Sequence, residues 1–180
     1  MIRAHVPYPA VQPTSINEFM TLPESSQSLW DFALAFYSQA EVANACLYLQ
    51  DECQANVCLL IGLNWMDTRG QHLTDTDFEN LQLHIQSWTQ DVVAPLRNLR
   101  RKLKLPFEHY IQDETQERVR EFIKQAELLA EKKLLDEIES WAKKIAVEKN
   151  NAAYSNLENY LLSLNAGQHW LEILQKNASN

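Results

Sequence analysis

Only three glycines, Gly62, Gly70 and Gly167, occur in 180 residues. An average composition of about 7% glycine would put roughly 13 in this length. Hairpin turns, bulges and phosphate-cradling loops draw on glycine for positive-φ backbone. A sheet fold, a P-loop or a dinucleotide fold is hard to build without it. The scarcity points to an all-α protein, and the apolar spacing agrees.

Ser26 or Ser28 can cap a helix running to about Gln39, with Leu29, Phe32, Ala33, Phe36 and Tyr37 on one face. Val42, Ala45, Cys46, Leu49 and Cys53 repeat that spacing in a second helix. A third, Val57 to about Met66, is apolar almost all round and should be the most buried element. Thr68-Arg69-Gly70-Gln71 reads as a loop. Thr74 or Asp75 then caps a long helix through Phe78, Leu81, Ile85, Trp88 and Val92. Pro95 predicts a kink or short break before Leu96–Leu103, and Pro106 ends that element.

Residues 113–149 are the most charged segment. Their apolar stripe includes Val119, Phe122, Ala126, Leu129, Ala130, Leu134, Ile138 and Trp141. Glu127 and Glu131, beside Lys132-Lys133, read as a solvated face. Asn150-Asn151 breaks the segment, and short helices over about 152–164 and 167–176 follow. With four prolines, residues 1–25 read as an extended arm. The organisation expected is therefore an arm (1–25), a helical head (26–106), and a long charged helix with two short ones (107–180), packed on the head or standing off it.

A hydrophobic fraction of 46% supports a real core, and a charge of −8 with pI near 5.1 argues against a general nucleic-acid binder, DNA included. Cys46, Cys53 and Cys58 cannot form a closed disulfide set, and they sit among apolar residues as buried, reduced thiols would. The first nine residues lack the apolar run of a signal peptide, and no uncharged apolar stretch is long enough to span a bilayer. The expectation is a cytoplasmic protein away from membranes.

Catalytic and metal signatures are missing. The residues three before His72, His84, His109 and His169 are Arg69, Leu81, Pro106 and Ala166, so the Glu-x-x-His of di-iron bundles is absent. There is no HExxH, and cysteines seven and five apart suit no zinc loop. No metal and no cofactor are expected. Asp31, Asp51, Glu52 and Asp67 flank apolar helices, where dipole compensation and salt bridges are their expected roles. His84, between Leu83 and Ile85, reads as a satisfied, partly buried histidine.

One stripe is unusual in an acidic chain. Arg97, Arg100, Arg101, Lys102 and Lys104 put five positive charges into eight residues; since the chain totals −8, the rest carries −13. On a helix, Arg97, Arg100, Arg101 and Lys104 share one face. They form either an anion, RNA-phosphate or acidic-partner patch, or internal pairs with Asp31, Asp51 or the glutamates of the long helix.

Four stretches carry a family resemblance: Ser28-Leu29-Trp30-Asp31-Phe32-Ala33-Leu34-Ala35-Phe36-Tyr37, then Val42-Ala43-Asn44-Ala45-Cys46-Leu47-Tyr48-Leu49-Gln50-Asp51, then Asn56-Val57-Cys58-Leu59-Leu60 with Trp65 after it, and Pro95-Leu96-Arg97-Asn98-Leu99-Arg100-Arg101-Lys102-Leu103-Lys104. Together they resemble an uncharacterised bacterial family of short proteins, a conserved domain of unknown function, over roughly 28–104. The chain departs from the pattern at Ala40-Glu41, where Pro-Gly is expected. It departs again at Asn56-Val57-Cys58, which stands for Asp-Val-Asn and puts in doubt any role needing that aspartate. The resemblance implies a helical fold and no activity.

Buried Gln50 and Asp51 would need hydrogen-bond partners, and Arg97 or Arg100 is a good one. Such a network is either structural or the floor of a pocket rimmed by Trp30, Tyr37 and Trp65. The expected function is a small binding or adaptor protein working on a protein partner. The alternatives are an enzyme with a helical pocket using Asp31, Asp51 and Arg97, and an RNA- or ribosome-associated protein using 97–104.

Overall fold

The computed structural model describes residues 27–104, 114–145 and 154–178, and every described element is helical. The arm, Pro106 and Asn150-Asn151 lie outside the described residues.

Local chemistry sets the helix starts. The Ser28 hydroxyl accepts the Asp31 N–H at 3.1 Å and opens α1 (Leu29–Tyr37). α2 (Ala40–Glu52) follows almost at once. The Asn56 side chain accepts from Leu59 N–H to cap α3 (Val57–Thr68). Thr74 and Asp77 form a reciprocal capping box on α4 (Asp75–Trp88).

Pro95 neither breaks nor ends the next stretch. A proline removes the N–H that would meet the carbonyl four residues back. Here the backbone widens into one π turn (Thr89–Val93), in which Ala94 N–H reaches Thr89 O, and the chain continues as α5 (Ala94–Lys102). α6 (Glu114–Ala142), α7 (Asn156–Ser163) and α8 (Gln168–Ala178) complete the described helices.

Every residue from Val57 to Met66 in α3 is buried, as its all-round apolar sequence requires. The polar member, Asn64, donates to Leu174 O at 3.4 Å. α1, α2, α6, α7 and α8 all pack on α3, while α6 also lies against α1, α4 and α5. The stripe of α6 is buried through Ala130, Leu134 and Ile138, whereas Phe122 and Leu129 are exposed. The buried seam therefore begins further along the helix than the apolar pattern suggests. Cys46 and Cys58 are buried, but Cys53 is only half-buried.

Gly62 explains one of the three glycines. A Cβ there would stand 2.7 Å from Ile138 Cγ2, so its absence lets α6 approach α3. Gly62→Ala should overpack this contact and cost about 1–3 kcal/mol, despite alanine's better helix propensity. In urea melts, Ile138→Ala in the same chain should relieve part of that penalty. Strictly additive losses would disprove the close approach.

A buried polar network ties the far end together. Asp67 accepts both Asn156 and Leu157 N–H at 2.9 Å, compensating the start of α7. Asn156 in turn bonds Leu73 N–H and Gln71 O, and Gln71 donates to Ala142 O. Burial pushes the Asp67 carboxyl above its usual range, against the pull of those two N–H bonds.

Candidate functional site

Five helices meet around a cavity of about 380 Å³. α1 contributes Trp30, Ala33, Leu34 and Tyr37; α2 contributes Leu47 and Gln50; Val57, Cys58 and Ile61 of α3 close it off. α5 supplies Arg97 and Arg100. α6 supplies Lys124, Glu127, Leu128, Glu131 and Leu135. The wall is largely apolar, with charge confined to the α5–α6 side.

That charge is an internal network. Arg97 donates through Nε to Glu127 (3.1 Å) and through Nη2 to Glu131 (2.5 Å). Arg100 donates to both oxygens of Glu127. Glu127, only 5% exposed, thus holds Arg100 in the forked geometry that arginine favours and takes a single bond from Arg97. Burial would raise the Glu127 carboxyl, but the hydrogen bonds from Arg100 and Arg97 outweigh it and hold it below the usual range. For Glu131, burial wins over Arg97 and the carboxyl sits above its usual range.

Two spacings build this arrangement. Arg97 and Arg100 are three apart on α5, and Glu127 and Glu131 four apart on α6, so each pair presents one helix face to the other. Glu127, Ala130, Leu134 and Ile138 also follow the i, i+3, i+7, i+11 seam that faces the core. The solvated-face reading of Glu127 and Glu131 is therefore corrected. The alternative reading of the basic stripe, internal pairing with glutamates of the long helix, is the one observed for Arg97 and Arg100. That seam was the available signal, and charge composition masked it.

The neighbouring hydroxyl and thiol are poor nucleophiles. Burial raises the Tyr37 phenol, and it raises the Cys58 thiol strongly. Cys46, outside the lining, is pushed up to about 12 by the same cause. Among the described residues no group of His, Cys, Asp or Glu has the makings of a metal site.

Of the residues singled out from sequence, Trp30, Tyr37, Gln50, Arg97 and Arg100 come together at this cavity. Trp30 also lies 5.4 Å from Lys132 Nζ, in cation–π contact. The other residues lie elsewhere. Trp65 is buried with Arg69 over its ring at 4.6 Å, so it rims nothing here. Asp31 is occupied at the α1 cap, where Ser28 Oγ donates to it at 2.6 Å. The shared basic face is also divided, because Arg97 and Arg100 turn to α6 while Arg101 pairs with Asp51. Lys104 is exposed beyond the end of α5. His84 is exposed rather than partly buried, 3.1 Å from Glu137.

Asp51 therefore does pair with the 97–101 cluster, but through Arg101 and at the surface, so the expectation of a buried pair with Arg97 or Arg100 is corrected. Both side chains are about half-exposed, and exposed pairs contribute about 0–1 kcal/mol. A double-mutant cycle of Asp51→Asn with Arg101→Gln should give coupling below about 1 kcal/mol, and the cycle with Arg97→Gln none. Strong Asp51–Arg97 coupling would contradict this geometry.

Fold and cavity thus define a compact helical protein with a partly enclosed apolar recess and an internally neutralised charge cluster. The chain belongs to the family described as Protein of unknown function (DUF2390), whose model matches residues 28–138. That span holds every residue lining the cavity. No curated protein and no solved structure matches the chain. Among the described residues, no helix is long and apolar enough to cross a membrane.

Proposed function

We propose that the chain is a binding protein of adaptor type, performing no chemistry of its own, and that the cavity receives apolar side chains of a protein partner. One observation carries this reading: a ring of exposed apolar residues around a concave site. Leu34 (51% exposed), Leu47 (47%) and Leu128 (52%) stand at the cavity with Tyr37, and all four line it. Large apolar groups gathered and uncovered around a recess mark interaction sites in soluble proteins.

The rival readings are weaker. An enzyme using Asp31, Asp51 and Arg97 needs them to converge, but each has a separate partner and neither aspartate lines the cavity. An RNA patch needs free cations, but Arg97, Arg100 and Arg101 are engaged with carboxylates. Three free cysteines among the described residues fit a reducing compartment, so the reading includes the cytoplasm.

The test is a photo-crosslinking residue placed at Leu34, Leu47 or Leu128, with Leu162 of α7 as an exposed control outside the cavity. The same protein partner captured from all three cavity positions and not from Leu162 supports the reading. Equal capture at all four positions, or none at the cavity, rejects it.

A further inference from the structure

A second recess, of about 510 Å³, lies on another part of the molecule and has a different chemistry. Five of its eleven lining residues carry side-chain amides, and Glu79 is the one charged residue among them. Gln82, Gln86 and Gln90 form one wall, running from α4 into the π turn. Gln54 and Asn56, from the turn between α2 and α3, stand opposite, and an apolar floor includes Tyr160.

The spacing of the three glutamines is the informative feature. Four residues of helix advance about 6 Å. Two residues of extended chain advance roughly 6.5 Å, and two of polyproline II about 6.2 Å. A glutamine at every fourth helical position therefore keeps step with every second peptide group of an extended segment alongside. Over Gln82 to Gln90, about 12 Å, the mismatch stays near 1 Å, within the reach of a flexible side chain. Each amide offers donors and an acceptor, as a peptide group does, so the wall can satisfy a backbone without regard to its side chains.

These amides are unspent. Gln82, Gln86 and Gln90 are exposed, and none of their side chains bonds to another described residue. The opposite wall, by contrast, is fixed. Asn56 caps α3, donates to Thr89 Oγ1 at 3.3 Å, and gives its N–H to the Tyr160 hydroxyl at 2.8 Å. The recess thus pairs a rigid wall with one whose hydrogen-bonding capacity faces solvent.

We infer that this recess binds an uncharged, extended peptide segment of a partner protein, with Gln82, Gln86 and Gln90 reading its backbone amides. A polyanion finds no cation in the lining and a carboxylate, Glu79, in its way. A compact polar molecule would use one or two of the amides rather than the whole row. The site is separate from the apolar cavity and stands or falls independently of it.

The experiment is a display selection of random twelve-residue peptides against the full chain. It is counter-selected on Gln82→Ala/Gln86→Ala/Gln90→Ala, a variant at three exposed positions whose fold is checked by circular dichroism. Enriched peptides should carry no net charge and lose at least tenfold in affinity on the triple variant. In one enriched peptide, ester replacement of backbone amides should weaken binding at every second position. Failure to enrich any peptide, binding that ignores the triple variant, or uniform sensitivity to esters would overturn the assignment. So would enrichment of peptides that bind as helices.

Discussion

Glu127→Ala is expected to destabilise the protein by about 3 kcal/mol, the lower end of the 3–5 kcal/mol found on breaking a buried ion pair. The lower end applies because Arg100, though only partly buried, loses its carboxylate partner, while Arg97 keeps Glu131. For a chain of this length the loss corresponds to roughly 6–12 °C in Tm. Exchanging both partners for apolar residues, as in Glu127→Met with Arg100→Met, should recover much of it, since no uncompensated charge stays behind. If Glu127→Ala melts like the parent, the network is decoration.

The pH dependence separates the two glutamates. The Glu127 carboxyl lies below its ordinary value near 4.5, so the unfolded chain takes up protons first as pH falls. Its stabilisation is present above about 4.5 and is lost as pH drops through the folded value. Glu131 is raised by burial, so its contribution has the opposite sign: present below about 4.5 and lost as pH rises through the folded value. Glu131→Gln should therefore steepen the loss of stability in acid, and Glu127→Gln should flatten it. Urea midpoints between pH 3 and 7 read both.

These two residues also mark where sequence reasoning stopped. The helices were legible because their signals are local: Ser28, Asn56 and Thr74 cap their own helices, and the apolar faces repeat within each segment. The site was half legible. Trp30, Tyr37, Gln50, Arg97 and Arg100 drew notice as unusual residues at regular positions, and they meet at one cavity. The glutamates of the long helix were open as partners, but not which of them, because a Glu/Lys-rich helix looks solvated whichever way it is turned. Only the tertiary contact of α6 with α5 decides that Glu127 faces inward.

Trp65 shows the opposite failure. An aromatic ring beside polar residues looked like a rim, yet a helix apolar all round has no outward face, and all of Val57–Met66 went to the core. Pro95 is a third case. Its missing N–H was legible, but the response was not. The helical run continues through a π turn in which Ala94 N–H pairs with Thr89 O.

The second large effect follows from that burial of α3. Leu60 is fully buried, on a helix that touches five others, so Leu60→Ala leaves a hole that no single neighbour can collapse into. Such substitutions cost about 2–5 kcal/mol, rising with the cavity left behind. Because α3 is central, the loss should be global rather than a local loosening. Circular dichroism and tryptophan fluorescence should report one coincident transition, lowered by roughly 5–15 °C. Leu83→Ala, at a residue two-thirds exposed, is the control and should move Tm by about a degree or less. An unchanged Tm for Leu60→Ala would remove α3 from the centre of the fold. Two separated transitions would show instead that the helices packed on it form independent units, and the cavity between α1, α5 and α6 would then be a junction rather than a site within one core.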